Sequence, residues 1–358
     1  MTIDYSDPKL GNNAQTHLNS QWSIDNSQCK QTPRPREPDA PAFCSEKLQW
    51  LVVPWGSRLP NTKDGIMPER KGFTLIELLV VVAMIALLLA ILMPALRAAK
   101  GQGKRAVCLS NLRQLQLTWS IYADDNDDRI VNGEAYGGAD GTAPIPTSGI
   151  HAGERWWTGD DVGDFWAGVN VSQELQERAI RAGALFPYCK NVRLYRCPTG
   201  VRGELRTCTI TDAMNGLRRD GTYSGAAGAK VGRTVLWVKK RMEISVPGPA
   251  FRIVFVDEGR ITPDSYAIHY LNERWWDPPF VRHADGTNVS FADGHVDYWK
   301  YAGKKTLEIG KLAAVSGRAA TDLHQMQPVS EDDFQDLYRM QKAVWGRLGY
   351  TPRYPPTN

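Results

Sequence analysis

Cysteine is scarce in this chain, with six in 358 residues and no pair at Cys-x-x-Cys spacing. That excludes a disulfide-built scaffold and any zinc site announced by paired cysteines, although one or two bridges remain open if the chain is exported. Excess charge is also lacking. The formal net charge is +4, and it is spread along the chain rather than blocked, which gives a nucleic-acid partner no support. The length permits one large or two modest globular domains. Long apolar runs are absent save one.

That run, Phe73 to Leu96, is 24 residues long. As a helix it would measure roughly 36 Å, enough to cross about 30 Å of hydrocarbon with some tilt. A buried core helix is disfavoured because Leu78 to Met93 carries no polar side chain on any face. Arg70 and Lys71 precede the run, and Arg97, Lys100, Lys104 and Arg105 follow it, so flanking charge alone predicts the C-terminal side inward. One acid, Glu77, breaks the start of the run. Such a carboxylate is retained in a membrane only where a partner neutralises it.

The stretch Gly72-Phe73-Thr74-Leu75-Ile76-Glu77 resembles the processing site of type IV prepilins and type II secretion pseudopilins. The resemblance implies cleavage between Gly72 and Phe73 on the cytoplasmic side, N-methylation of Phe73, and assembly through Glu77, whose charge meets the new cationic amine of a neighbouring subunit. It also implies a single-pass protein of the bacterial inner membrane with its C-terminal bulk periplasmic or extracellular. The implied partners are a prepilin peptidase/methyltransferase, other pilin or pseudopilin subunits and an inner-membrane assembly platform. Pro94 sits where pilin helices commonly kink; it removes one backbone donor. Residues 1–66 are rich in Asn, Pro, Gln and Ser without sustained periodicity and read as disordered. Residues 67–72 alone would form a short basic leader, so translation is expected to begin at Met67, with a genuine extended leader as the competing reading.

Beyond the span, Gly101 and Gly103 are expected to interrupt the helix at the membrane exit. Residues 97–123 then continue as a stalk with one apolar stripe: Cys108, Leu112, Leu115, Trp119 and Tyr122. "ADDNDDR", residues 123–129, ends it as an acidic turn, either solvated or holding calcium. "RWWTGDDVGDFW" either stacks on a sugar or closes a small core. Cys108, on the stripe, and Cys197, in "LYRCP" after an expected strand, are candidates for a disulfide, with Cys189 or Cys208 as competitors for Cys197.

"TNVSFADGHVDYWK" alternates apolar and polar residues around Asp293-Gly294, which predicts a hairpin. With a two-residue turn, Phe291 would face Val296, and Val289, Phe291, Val296 and Tyr298 would share a side. His283 followed by nine residues and then Asp293-Gly294 resembles the H-X9-DG domain of prepilin-type proteins. The likeness extends to "CLSNLRQLQLTW" from Cys108, "YRCP" at 195–198 and "RIVFVDE" at 252–258. His283, Asp285, Asp293 and His295 raise a metal reading, but Asp293 is explained by turn chemistry, so no metal and no cofactor are expected. No nucleophile, base and orienting acid occur at recognisable spacing, so no enzyme is expected. Ser330 followed by three acids opens an amphipathic helix over 330–348.

The expectation is therefore an α+β protein whose long N-terminal transmembrane helix, a pilin-like stalk, packs on an exported domain (124–358) with an antiparallel sheet. Its expected role is structural, in a type II secretion pseudopilus or type IV pilus-like filament. The alternative is a membrane-anchored polysaccharide-binding protein.

Overall fold

The computed structural model describes residues 72–135, 142–160, 171–217, 228–258, 264–315 and 323–357. The expected disordered segment and the leader up to Lys71 lie outside them. Thr74 opens the first helix, α1 (Leu75–Asp125), by a capping box in which its side chain and that of Glu77 each satisfy the other's backbone N–H. At 51 residues, α1 runs roughly 77 Å. Its most apolar 18-residue window has a mean hydropathy of 3.1, and none of it is covered by the other described residues. The helix is long and apolar enough to cross a membrane.

Contrary to expectation, α1 continues unbroken through Gly101 and Gly103. A Cβ added at either glycine would meet nothing within 4 Å beyond its own stretch of helix. Each costs about 1 kcal/mol of helix propensity, too little to break a helix anchored by about six apolar turns before and a docked face after. Burial begins at Cys108 and follows the predicted stripe through Leu112, Leu115 and Trp119, joined by Gln116 and Ala123. The acidic turn ends the helix as predicted. Arg241 pairs with Asp124 and Asp128, and Asp128 Oδ2 accepts from Met242 N at 2.7 Å, so this turn is pinned to the head.

The head then runs β1 (Asn132–Ala135), β2 (Trp156–Thr158), α2 (Gln173–Ala182), the single turn α3 (Phe186–Cys189), and β3 (Cys208–Ile210). It continues with β4 (Lys230–Val231), β5 (Thr234–Val235), β6 (Ile253–Asp257), β7 (Gly286–Phe291), β8 (Val296–Lys300), α4 (Lys304–Val315) and α5 (Glu331–Trp345). β1 and β2 pair in parallel, and β4 and β5 form a small antiparallel ribbon. The main sheet is antiparallel in the order β3-β6-β7-β8. Its central strands β6 and β7 are buried throughout, as their β-branched content allows. One face of the sheet packs on the C-terminal half of α1 and the other on α4 and α5.

The β7–β8 hairpin forms, but one residue out of the predicted register: Ser290 pairs with Val296 and Val289 with Asp297. The loop is Ala292-Asp293-Gly294, with only Gly294 at positive φ, and Phe291 N bonds His295 O at 2.9 Å. A three-residue loop with glycine in the left-handed position replaces the two-residue turn. The slip separates the predicted apolar set. Val289 and Phe291 join Trp299 under α5, whereas Val296 packs on the α1 side beside Ser290.

Other expectations also shift. Cys197 follows a 3₁₀ turn at Val192–Tyr195 rather than a strand. α4 forms over Lys304–Val315, where the sequence shows no marked helical pattern. α5 ends at Trp345, where Gly346 takes a left-handed cap, so Leu348 lies beyond the helix.

Candidate functional site

Among the described residues, two places bear most directly on the readings above. The first is the N-terminus of α1. Phe73 is 73% exposed, and nothing lies within 4 Å of where a Cβ on Gly72 would stand. Glu77 Oε2 accepts from Thr74 N at 2.9 Å and from Thr74 Oγ1 at 2.8 Å, while Thr74 Oγ1 accepts from Glu77 N at 3.2 Å. Thr74 went unassigned in the sequence reading, although a hydroxyl three residues before an acid is a capping-box signal. The acid is thus held at the positive end of the helix dipole, beside Phe73. Pro94 lies within α1 as expected.

The second place is buried where stalk meets head. Cys108 comes from α1, Cys197 from the loop after the 3₁₀ turn, Asp257 from the end of β6 and His283 from the approach to β7. They are between 1% and 5% exposed. Cys108 Sγ lies 3.2 Å from Asp257 Oδ2, and His283 Nε2 lies 3.2 Å from both Cys197 Sγ and Asp257 Oδ2. All four ligand atoms fall within 4.8 Å of one another.

The electrostatics follow from this crowding. The bond to Cys108 draws the Cys197 thiol down to about 6 against its burial, and the same contact with burial pushes Cys108 well up. Burial opposes charging His283, but its bonds to Asp257 and Cys197 prevail and raise it to about 9. Burial would raise Asp257 too, but the His283 bond and the nearby Arg282 hold it low.

A thiol, an imidazole and a carboxylate in contact invite comparison with a nucleophilic triad. A triad uses both ring nitrogens, one for the nucleophile and one for the acid. Here Nε2 meets both partners. The arrangement converges on a point rather than relaying along a line.

Cys108 and Cys197, the expected bridge candidates, are thus neighbours, each present as a free thiol. Of their competitors, Cys189 contacts the Tyr195 hydroxyl at 3.8 Å and Cys208 the Tyr195 carbonyl at 3.5 Å. The other residues of the metal reading do not join His283. Asp293 and His295 pair at the exposed turn at 2.6 Å, and Asp285 pairs with Lys311 at 2.9 Å. Asp257 went unassigned in the sequence, although its signal was present, because the four ligands lie one each in the four stretches "CLSNLRQLQLTW", "YRCP", "RIVFVDE" and H-X9-DG. Trp156 and Trp157, offered as a sugar platform, are buried in the head, with Trp157 stacked on Tyr195. Trp166 lies outside the described residues.

Residues 67–93 match the prokaryotic N-terminal methylation motif. The chain is 41% identical over 66 residues to the type IV wide pilus major component PilA4 of Thermus thermophilus. That match covers 18% of this chain and 50% of the relative, so the chain spans about half the length of the protein it matches. No solved structure matches. The motif and the relative support a pilin- or pseudopilin-type subunit, and together with α1 they fit a membrane-anchored protein.

Proposed function

We propose that the chain is a filament subunit, cut between Gly72 and Phe73 by a prepilin peptidase, N-methylated at Phe73 and polymerised into a type IV pilus-like filament or type II secretion pseudopilus. Residues 73–96 hold it in the inner membrane before assembly. Residues 97–123 form the stalk, and 124–358 form a periplasmic or extracellular head of the H-X9-DG kind. Its partners are the processing enzyme, like subunits and an inner-membrane assembly platform, and its role is structural rather than enzymatic. One observation carries this reading. Glu77 stands at the helix N-terminus next to Phe73, on an apolar helix whose membrane-fit part the other described residues leave uncovered. Thr74 meets the acid's hydrogen bonds but not its charge, and of lipid and the cationic terminus of an adjacent copy only the second neutralises that charge.

The test is Glu77→Ala. The variant should insert into the membrane like the natural chain but fail to enter sheared filaments or pseudopili. Normal incorporation would end the assembly role of the acid. Mass spectrometry of the membrane-extracted protein should find an N-methylated Phe73 as first residue, and an intact residue upstream of it would refute processing.

A further inference from the structure

We infer that Cys108, Cys197, Asp257 and His283 form a structural zinc site that fastens the stalk helix to the head. Tetrahedral zinc with Zn–S of about 2.3 Å and Zn–N or Zn–O of about 2.0 Å requires ligand–ligand edges of roughly 3.3 to 3.6 Å between sulfur and nitrogen or oxygen and between nitrogen and oxygen. Three of the six edges in the cluster are each 3.2 Å, slightly shorter than that, and the other three are no longer than 4.8 Å. Two thiolates, an imidazole and a carboxylate are the donor types zinc takes in preference to calcium or magnesium.

The surroundings match those of a ligated thiolate. Thr199 donates its backbone N–H to Cys197 Sγ at 3.4 Å, and its hydroxyl lies 2.9 Å from the same sulfur. Asp257 Oδ1 is enclosed without a hydrogen-bond partner. Two thiolates and a carboxylate around a divalent ion leave one negative charge. Arg282, which acts electrostatically on Asp257, supplies the compensating cation, and its Nε and Nη2 are enclosed without hydrogen-bond partners. A cavity of about 10 Å³ borders Cys108, Cys197 and Asp257.

The rival explanation is a Cys108–Cys197 disulfide. It accounts for two of the four residues and leaves a buried imidazole and carboxylate gathered around an apolar bridge for no reason. Metal binding uses all four, releasing the thiol protons to solvent. It also explains why ligands come from four separate segments, one of them on α1.

The test uses the full-length chain, purified in detergent without a polyhistidine tag, with metal content read by plasma mass spectrometry before and after incubation with Zn(II). About one zinc per chain is expected, and the cobalt-substituted protein should show thiolate-to-cobalt charge-transfer absorption. Cys197→Ser and His283→Gln should each lower zinc affinity at least tenfold. Three outcomes overturn the site: a natural chain that neither contains nor takes up zinc, a Cys108–Cys197 cross-linked peptide under non-reducing digestion, or unchanged zinc binding in both variants. The measurements on the natural chain decide even if the variants fail to fold.

Discussion

Arg252 is fully buried and is held by main-chain carbonyls. Its Nε donates to Val344 O at 3.1 Å, and its two terminal nitrogens donate to Val235 O at 2.8 Å and Leu236 O at 3.0 Å. Burial lowers its pKa to about 9. A cation whose folded pKa is depressed contributes stability only at very high pH and loses it as pH falls through the folded value, so at neutral pH the charge is a cost that the three bonds offset. What Arg252 contributes is a tie between α5, the β5 region and the sheet. Arg252→Met should lower stability by about 2–5 kcal/mol, because it leaves three buried carbonyls without donors. Urea denaturation of the detergent-solubilised chain would measure this, and a loss below about 0.5 kcal/mol would show the carbonyls find other partners.

At the scale of elements, the start of α5 caps two helices at once. Ser330 Oγ accepts from Asp333 N at 3.3 Å, and Asp333 Oδ2 accepts from Ser330 N at 2.9 Å. Asp333 Oδ1 also takes Thr306 N, in the first turn of α4, at 2.9 Å, and Asp336 Oδ2 takes Gly303 N at 2.8 Å. Ser330→Ala should cost about 1 kcal/mol, read as a shift in the denaturation midpoint. The two acids respond to pH with opposite signs. Burial would raise Asp333, but its bonds from Thr306 and Ser330 outweigh that and hold it below its ordinary 3.8. Its stabilisation is therefore present above that value and lost as pH falls through the folded one. Burial raises Asp336 to about 6 despite bonds from Gly303 and Ala302. Its contribution is present below 3.8 and lost as pH rises through about 6. Stability curves against pH should thus show the natural chain losing ground to Asp336→Asn between about pH 4 and 6. Against Asp333→Asn it should lose ground only as pH drops below about 4. Parallel curves for all three proteins would contradict both assignments.

Across the whole molecule, a lipid-fit helix becomes a soluble one without a break, and the change is made by what lies beside it. Among the described residues, nothing covers the apolar window of the helix, whereas further along Leu115 and Trp119 are wholly buried against the head. Gln116 Oε1 accepts from Ser290 Oγ at 3.0 Å, and Arg105 lies 4.3 Å over the Tyr298 ring. Leu115→Ala should cost about 2–5 kcal/mol and expose the stalk–head junction to limited proteolysis, while membrane insertion stays normal. A protease pattern identical to the natural chain would mean the stripe does not hold the head.

The local sequence carried everything that depends on neighbours in the chain. The apolar run, the acid at its start, the stripe from Cys108 to Trp119, the β7–β8 hairpin and the hydroxyl cap at Ser330 were all legible, because helix period, strand alternation and capping act within a few residues. α4 was not legible, since Lys304–Val315 owes its helix to burial of Ile309 and Ala313 rather than to a marked pattern. Nor was the hairpin's register, because Asp-Gly suits two loop lengths and only the two packed faces of the sheet choose between them. Least legible was the buried cluster. Its four ligands are spread from residue 108 to residue 283, with no fixed spacing to betray them. Only folding, by laying β6 and β7 against α1, brings a thiol pair, an imidazole and a carboxylate to a single point.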